Sequence, residues 1–285
     1  MRPKAVAIGA SNTFGGDIFV VSPVYTQVLE ELFRPFSKLV SRRGGELFLD
    51  LRNPGYELED GNCVINSGVP GDTTYDMMAR FEEDVLQWSP EYAIIQAGTN
   101  DIGAALEAMR EPEAVSPGRR EPEQIDAVQL YRSVIRDAGS QNSTLRLAAA
   151  QITENLLDMS RRAASRGIIP VVCTIPPYGN ALEDYLADKS QPKAEQEKLA
   201  EGKRLISITN SLIVANCGRE PLTRVADIHS ALASRETGLM QPRYSHGDLV
   251  HLSGPGHIMV ATVLANAITG MPCRIQTPEH TYLVS

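Results

Sequence analysis

Short apolar runs rich in Val and Ile alternate along the chain with longer stretches whose apolar residues recur every three to four positions. That alternation is the pattern of a parallel α/β sheet with crossover helices. The runs Lys4–Ile8, Cys63–Ser67, Tyr92–Gln96, Ile168–Thr174 and Thr223–Asp227 are expected as strands buried on both faces. Leu47–Leu51 is expected as a small edge strand. Helices are predicted over Pro23–Leu39 and Thr73–Trp88, each with an apolar stripe of helical period, over the long, Ala-rich Leu145–Ser165, and over Ala194–Asn216, closed by Gly218. A last helix is predicted after Ser253, an effective N-cap, running to Gly270. Gly167 stands where a left-handed C-terminal cap is expected. The layout predicts one domain over residues 1–285, with surface excursions near 105–125 and 175–193, where prolines and mixed charges collect.

Charge narrows the function classes. Lys and Arg total 27 against 35 Asp and Glu, a net charge of -8, so general binding to nucleic acid or to an anionic membrane surface is not expected. No apolar run reaches the roughly 18–20 residues of a membrane span. Met1–Lys4 leads straight into the first strand, too short a run for a secretory leader, and a cytoplasmic protein is expected. Cys63, Cys173, Cys217 and Cys273 form no C-x-x-C pair and no zinc spacing, so reduced core thiols are expected.

In open α/β sheets, ligands bind beyond the carboxyl ends of the strands. Polar and glycine residues without an evident structural task gather at such ends: Gly9–Thr13, Asn66–Thr73 and Gly98–Asp101, with Asp248–Ser253 beyond the fifth strand. Taken singly, each has a plain structural reading, as a tight turn, a helix cap, an Asx turn or a surface pair. Together they offer a hydroxyl, an imidazole beside a carboxylate, a backbone amide and a side-chain amide, the parts that acyl transfer requires. The Asp-x-x-His spacing lets Asp248 reach Nδ1 of His251 while Nε2 faces Ser11.

In this order and spacing, the four segments resemble the four sequence blocks of the SGNH (GDSL-type) hydrolases. The resemblance implies a three-layer α/β/α sandwich with a five-stranded parallel sheet, a flavodoxin-like arrangement. It implies Ser11 as nucleophile and Asp248 and His251 as its partners. It also implies Gly71, Asn100 and the Ser11 backbone amide as oxyanion donors. One position departs: the family's usual Gly-Asp-Ser has Ala10 in the middle place, which loosens the expected restraint on the Ser11 loop. Gly-x-Ser-x-Gly, the signature of the other large serine-hydrolase fold, is absent.

The expected activity is hydrolysis of short-chain carboxylic esters, for instance deacetylation of a sugar or another small ester. No cofactor and no metal is expected, and the expected partner is a small-molecule ester. An acyltransferase, a lysophospholipase or thioesterase, and a non-catalytic ligand-binding relative on the same fold remain open as alternatives, and the sequence leaves the oligomeric state open. His257 is expected half-buried in the last helix, and His246 on a loop lining the cleft. Phosphate binding lacks both glycine-loop signatures, and Asp101 with Asp248 alone is thin for a metal site.

Overall fold

The computed structural model describes residues 3–15, 24–34, 40–43, 46–50, 63–110, 126–136, 138–179, 181–182 and 192–283. Its strands are β1 (Ala5–Gly9), β2 (Val40–Arg43), β3 (Glu46–Asp50), β4 (Val64–Gly68), β5 (Tyr92–Gln96), β6 (Ile169–Cys173), β7 (Arg224–Ala226), β8 (Cys273–Gln276) and β9 (Thr281–Leu283). Its helices are α1 (Ser11–Phe14), α2 (Tyr25–Phe33), α3 (Thr74–Asp84), α4 (Thr99–Ala108), α5 (Ala127–Ile135), α6 (Gln141–Ser165), α7 (Lys193–Cys217), α8 (Ile228–Leu232) and α9 (Gly254–Thr269).

The five apolar runs form one parallel sheet in the order β4-β1-β5-β6-β7. In the order of their appearance in the chain, the strands of this sheet follow the flavodoxin-like sequence, whose direction of winding reverses between the first and third strands. Here that reversal falls between β1 and β5. Alternate strand residues feed opposite cores: Val6, Ile8, Ala93 and Ile95 on one face, Ala5, Ala7, Ile94 and Val171 on the other. The first face packs against α3 through α7, with Phe81, Ile152 and Leu205 fully buried. The second packs against α2 and α9 through Val28, Leu29, Val260 and Leu264. Burial on both faces explains why β1, β5 and β6 carry almost no polar residues. β4 and β7, expected to be buried in the same way, are the edges of the sheet and only part-buried.

A second sheet, in the order β2-β3-β8-β9, was not anticipated. The run expected as an edge strand is instead β3, paired antiparallel with β2 and parallel with β8. Leu47, Leu49, Cys273 and Ile275 pack into the core on the α2 and α9 side. Periodicity could not reveal β8, because Cys273–Gln276 is too short to show a pattern.

Two other boundaries moved. Gly98–Asp101 is not a free turn: Thr99 to Asp101 form the first turn of α4, which runs on through Ala108 and so takes up the start of the expected 105–125 excursion. Residues 111–125 of that excursion, and 180 and 183–191 of the other, lie outside the described residues. Ser253 caps α9 by accepting from the Gly256 N–H at 3.3 Å, and Gly167 adopts φ +70 after α6. All four cysteines are free thiols, three of them buried, and burial pushes Cys173, Cys217 and Cys273 up to about 12.

Gly98 links β5 to α4 with φ +110, where a side chain is strained. A Cβ there would lie 2.5 Å from Cδ1 of the buried Ile175. Gly98→Ala is therefore expected to destabilise the fold by about 1–3 kcal/mol. Urea denaturation checks this; a change below about 0.5 kcal/mol would show that the loop relaxes.

Candidate active site

Gly9 of β1 pairs in register with Gly68 of β4 on one side and Gln96 of β5 on the other. Three of the polar segments therefore leave the sheet from one row. Ser11 follows β1, on the first turn of α1. Gly71 sits in the turn after β4 at φ +86, and Asn100 on the first turn of α4. The fourth segment, 248–252, arrives ahead of α9 and meets the segment after β1 through His251 and Val250.

The structure brings together all five residues singled out in the sequence. His251 Nε2 lies 3.1 Å from Ser11 Oγ, and its Nδ1 lies 2.6 Å from Asp248 Oδ2. The other carboxylate oxygen of Asp248 accepts the backbone N–H groups of His251 at 2.7 Å and Val250 at 2.9 Å. Burial raises the Asp248 pKa, but these two amides and the imidazole outweigh it and hold the carboxyl below its ordinary range. An ionised Asp248 requires a proton on Nδ1, which leaves Nε2 free to accept from the Ser11 hydroxyl.

Asn100 donates from Nδ2 to the Asp72 carbonyl at 2.9 Å. That bond fixes which way the amide faces and leaves its second N–H for a ligand. Ser11, Gly71, Asn100 and His251 line one pocket of about 250 Å³, walled by Pro70 and Pro176. A second cleft of about 510 Å³ adjoins it across Gly71, Thr99, Asn100 and Val250. Its walls include the buried apolar side chains Leu106, Val128 and Leu199, with Glu107, Glu195 and Lys198 at its edge. The neighbourhood is thus less uniformly polar than its loops suggested.

Several residues that hold this arrangement were not anticipated. Asn12, 7% exposed, donates to the Val250 carbonyl and accepts from the Leu252 N–H, both at 3.1 Å. It therefore grips the chain on either side of His251. Asp101 is fully buried and accepts from the Thr74 backbone and hydroxyl and from Tyr131 Oη. Asn155 completes the set by donating to Thr74 Oγ1 at 2.8 Å. Burial raises the Asp101 pKa, opposed by the hydrogen bonds from Thr74 and Tyr131. This network ties the start of α3 to the start of α4, and so Gly71 to Asn100. The adjacent Asn-Asp pair was visible in the sequence, but the partners of Asp101, 27 and 30 residues away, were not, nor was the Asn155–Thr74 bond that spans 81 residues.

The other histidines stand apart. His257 is fully buried rather than half-buried, stacks on Tyr25, and is pushed by burial down to about 3. His246 is exposed and does not line the pocket; its backbone N–H donates to the His251 carbonyl at 3.0 Å. Among the described residues, no three His, Cys, Asp or Glu side chains are grouped to hold a metal ion.

The model of the GDSL-like lipase/acylhydrolase family matches residues 50–258. The chain belongs to this family. The curated relatives it resembles include an uncharacterised lipoprotein, YqeF, of Bacillus subtilis. That likeness is 44% identical over 50 residues, 17% of this chain and 21% of the relative. An acetylxylan esterase of Geobacillus stearothermophilus is 43% identical over 44 residues, 15% of this chain and 20% of that one. The matches thus span about a fifth of the length of these curated relatives. Among solved structures, a GDSL-like lipase from Bacteroides thetaiotaomicron superposes with TM-score 0.54 at 17% identity, over 95% of this chain and 92% of the other. That likeness is one of fold, and it places this family member's parallel sheet among those of its GDSL-type neighbours.

Removing the buried carboxylate tests the scaffold. Asp101→Ala strands the Thr74 amide and hydroxyl and the Tyr131 hydroxyl, at about 1–3 kcal/mol for each donor left unsatisfied. A total loss of about 3 kcal/mol or more is expected in chemical denaturation; a loss under about 1 would show that water replaces the carboxylate.

Proposed function

We propose that the chain is a serine esterase that hydrolyses short-chain carboxylic esters through an acyl-enzyme. The observation that carries this reading is the unbroken line from Asp248 Oδ2 through His251 to Ser11 Oγ, with links of 2.6 and 3.1 Å. As Oγ bonds to the ester carbonyl carbon, its proton passes to Nε2 of His251. The resulting imidazolium is stabilised by the carboxylate of Asp248. Negative charge gathers on the former carbonyl oxygen, where the free N–H of Asn100 and the backbone amides of Gly71 and Ser11 receive it. Nε2 then returns the proton to the leaving alkoxide as the C–O bond breaks. Water repeats the sequence on the acyl-serine, giving up a proton to His251 and releasing the acid. None of these steps calls for a cofactor.

The pocket of about 250 Å³ around Ser11 suits a small acyl group, and the larger cleft beside it suits the remainder of the ester. The likeness to an acetylxylan esterase supports an acetylated sugar as one substrate of this kind. An acyltransferase would follow the same course with an alcohol in place of the water.

Hydrolysis of p-nitrophenyl acetate tests the mechanism. Ser11→Ala is expected to lower kcat at least about 10³-fold, with EDTA leaving the wild type unaffected. Undiminished activity in Ser11→Ala would overturn the reading, and EDTA sensitivity would point to metal chemistry. Across p-nitrophenyl esters of two to sixteen carbons, kcat/KM is expected to peak between acetyl and butyryl. Each further methylene contributes at most about 0.8 kcal/mol even when fully buried, and this pocket has little room for more. A maximum at eight carbons or beyond would show that the acyl chain extends along the apolar walls of the adjoining cleft.

A further inference from the structure

Arg80, on α3, is directed at the backbone beneath the candidate site rather than at solvent, and its side chain is 19% exposed. Nε donates to Asp72 Oδ2 at 2.7 Å, Nη1 to the Ser67 carbonyl at 3.0 Å and Nη2 to the Gly9 carbonyl at 3.2 Å. Nη1 also meets the carboxylate of Asp84, one helical turn on. The first three acceptors belong to the segments that the proposed chemistry must hold in register. Gly9 is the end of β1, two residues before Ser11. Ser67 is in the last turn of pleat of β4, which leads to Gly71. Asp72 follows Gly71, and its carbonyl is the acceptor that orients the amide of Asn100. Among the described residues, Arg80 alone bonds to all three.

We propose that Arg80 is a positioning residue for the reaction: its guanidinium sets the separation between the Ser11 nucleophile and the Gly71 and Asn100 oxyanion donors. This role rests on the serine esterase reading. Ala10 has no polar side chain with which to restrain the Ser11 loop; Thr13 and Asn66 hold the turn after Ser11, and Arg80 holds the backbone before it, at Gly9. The task suits arginine. A planar guanidinium presents donors in several fixed directions and bridges a carboxylate and two carbonyls at once. A lysine ammonium would still pair with Asp72, whose side chain is 4% exposed, but could not also span the ends of β1 and β4.

The test uses Arg80→Lys, which keeps the charge, and Asp72→Asn, which keeps the backbone carbonyl that Asn100 needs. Steady-state kinetics on p-nitrophenyl acetate are read together with the rate of Ser11 labelling by a fluorophosphonate and with thermal melting. In Arg80→Lys, kcat and the labelling rate are expected to fall about 10- to 100-fold with KM changed less than about threefold, the signature of misplaced reacting groups. Guanidinium ion added at non-denaturing concentration is expected to recover part of the lost kcat in Arg80→Ala. Should Arg80→Lys fail to fold, the same fall in kcat at constant KM in Asp72→Asn carries the test. A folded Arg80→Lys with wild-type kcat and labelling would overturn the inference, as would losses that vanish at temperatures well below its melting point. Ser11→Ala separates the two readings. If it is inactive and unlabelled while Arg80→Lys behaves as wild type, the positioning role alone falls. If it retains full activity, the esterase reading falls and takes this inference with it.

Discussion

The candidate site depends on one row of hydrogen-bonded residues across the parallel sheet. Gly68, Gly9 and Gln96 lie side by side at the carboxyl ends of β4, β1 and β5. Neighbouring strands are only about 4.8 Å apart, so segments leaving adjacent ends of that row begin within side-chain reach of one another. From β1 the sheet grows to β4 on one side and to β5 on the other, so the flanking connections diverge and leave a crevice at that point. Ser11 stands at the crevice, with Gly71 and Asn100 on its two flanks. Parallel pairing makes this possible, because it sends every strand of the sheet toward the same edge.

A crevice of loops is not by itself a rigid site, and the rigidity here comes from polar side chains, most of them buried, bonded to distant segments of the chain. Asn12 holds both sides of His251. Thr13 Oγ1 bonds to Gln96 Oε1 at 2.8 Å and contacts Tyr25 Oη at 2.9 Å, fixing the turn that carries Ser11 against β5 and α2. Asn66 donates to the Thr13 carbonyl at 2.7 Å from the other side. Asp101 locks the helix starts that present Gly71 and Asn100. A buried polar group without a partner is costly, so such networks favour one arrangement over its neighbours. The same logic makes Arg80 informative. Its donors are matched to acceptors from three segments, so shifting any one of them leaves part-buried groups unpaired.

The surroundings of the pocket divide into two compartments of different character. The smaller one, at Ser11, is bounded by rigid elements, Pro70 and Pro176 among them. The larger lies between α4, α5 and α7, with an apolar interior and charged residues at its edge. Under the esterase reading, the first compartment bounds the acyl group, and the second lends affinity to an amphipathic remainder. Phe14 and Val69, 51% and 39% exposed, lie on the segments that flank Ser11 and Gly71 and leave apolar surface beside the site.

The sequence by itself determined the parallel α/β sheet, because strands buried on both faces must be continuously apolar, and Ala5–Ile8 and Ala93–Ile95 show this without any partner. It also determined which polar residues were candidates, since Ser11, Asn100, Asp248 and His251 fall at strand ends or loops where a core has no use for them. Asp248 and His251, three residues apart, could even be paired from spacing alone, and the 2.6 Å contact is local. It could not determine β8 and β9, which are too short to carry a period, nor the partners of Asn12, Asp101 and Arg80. Asn12 and Leu252 are 240 positions apart, and Arg80 and Gly9 are 71 apart. Such pairings leave no trace in local pattern, because each is made only when crossover helices bring remote backbone within about 3 Å of a side chain. Tertiary structure alone decided those, together with the volume and lining of the two compartments, since these depend on where α4, α5 and α7 come to rest against the sheet.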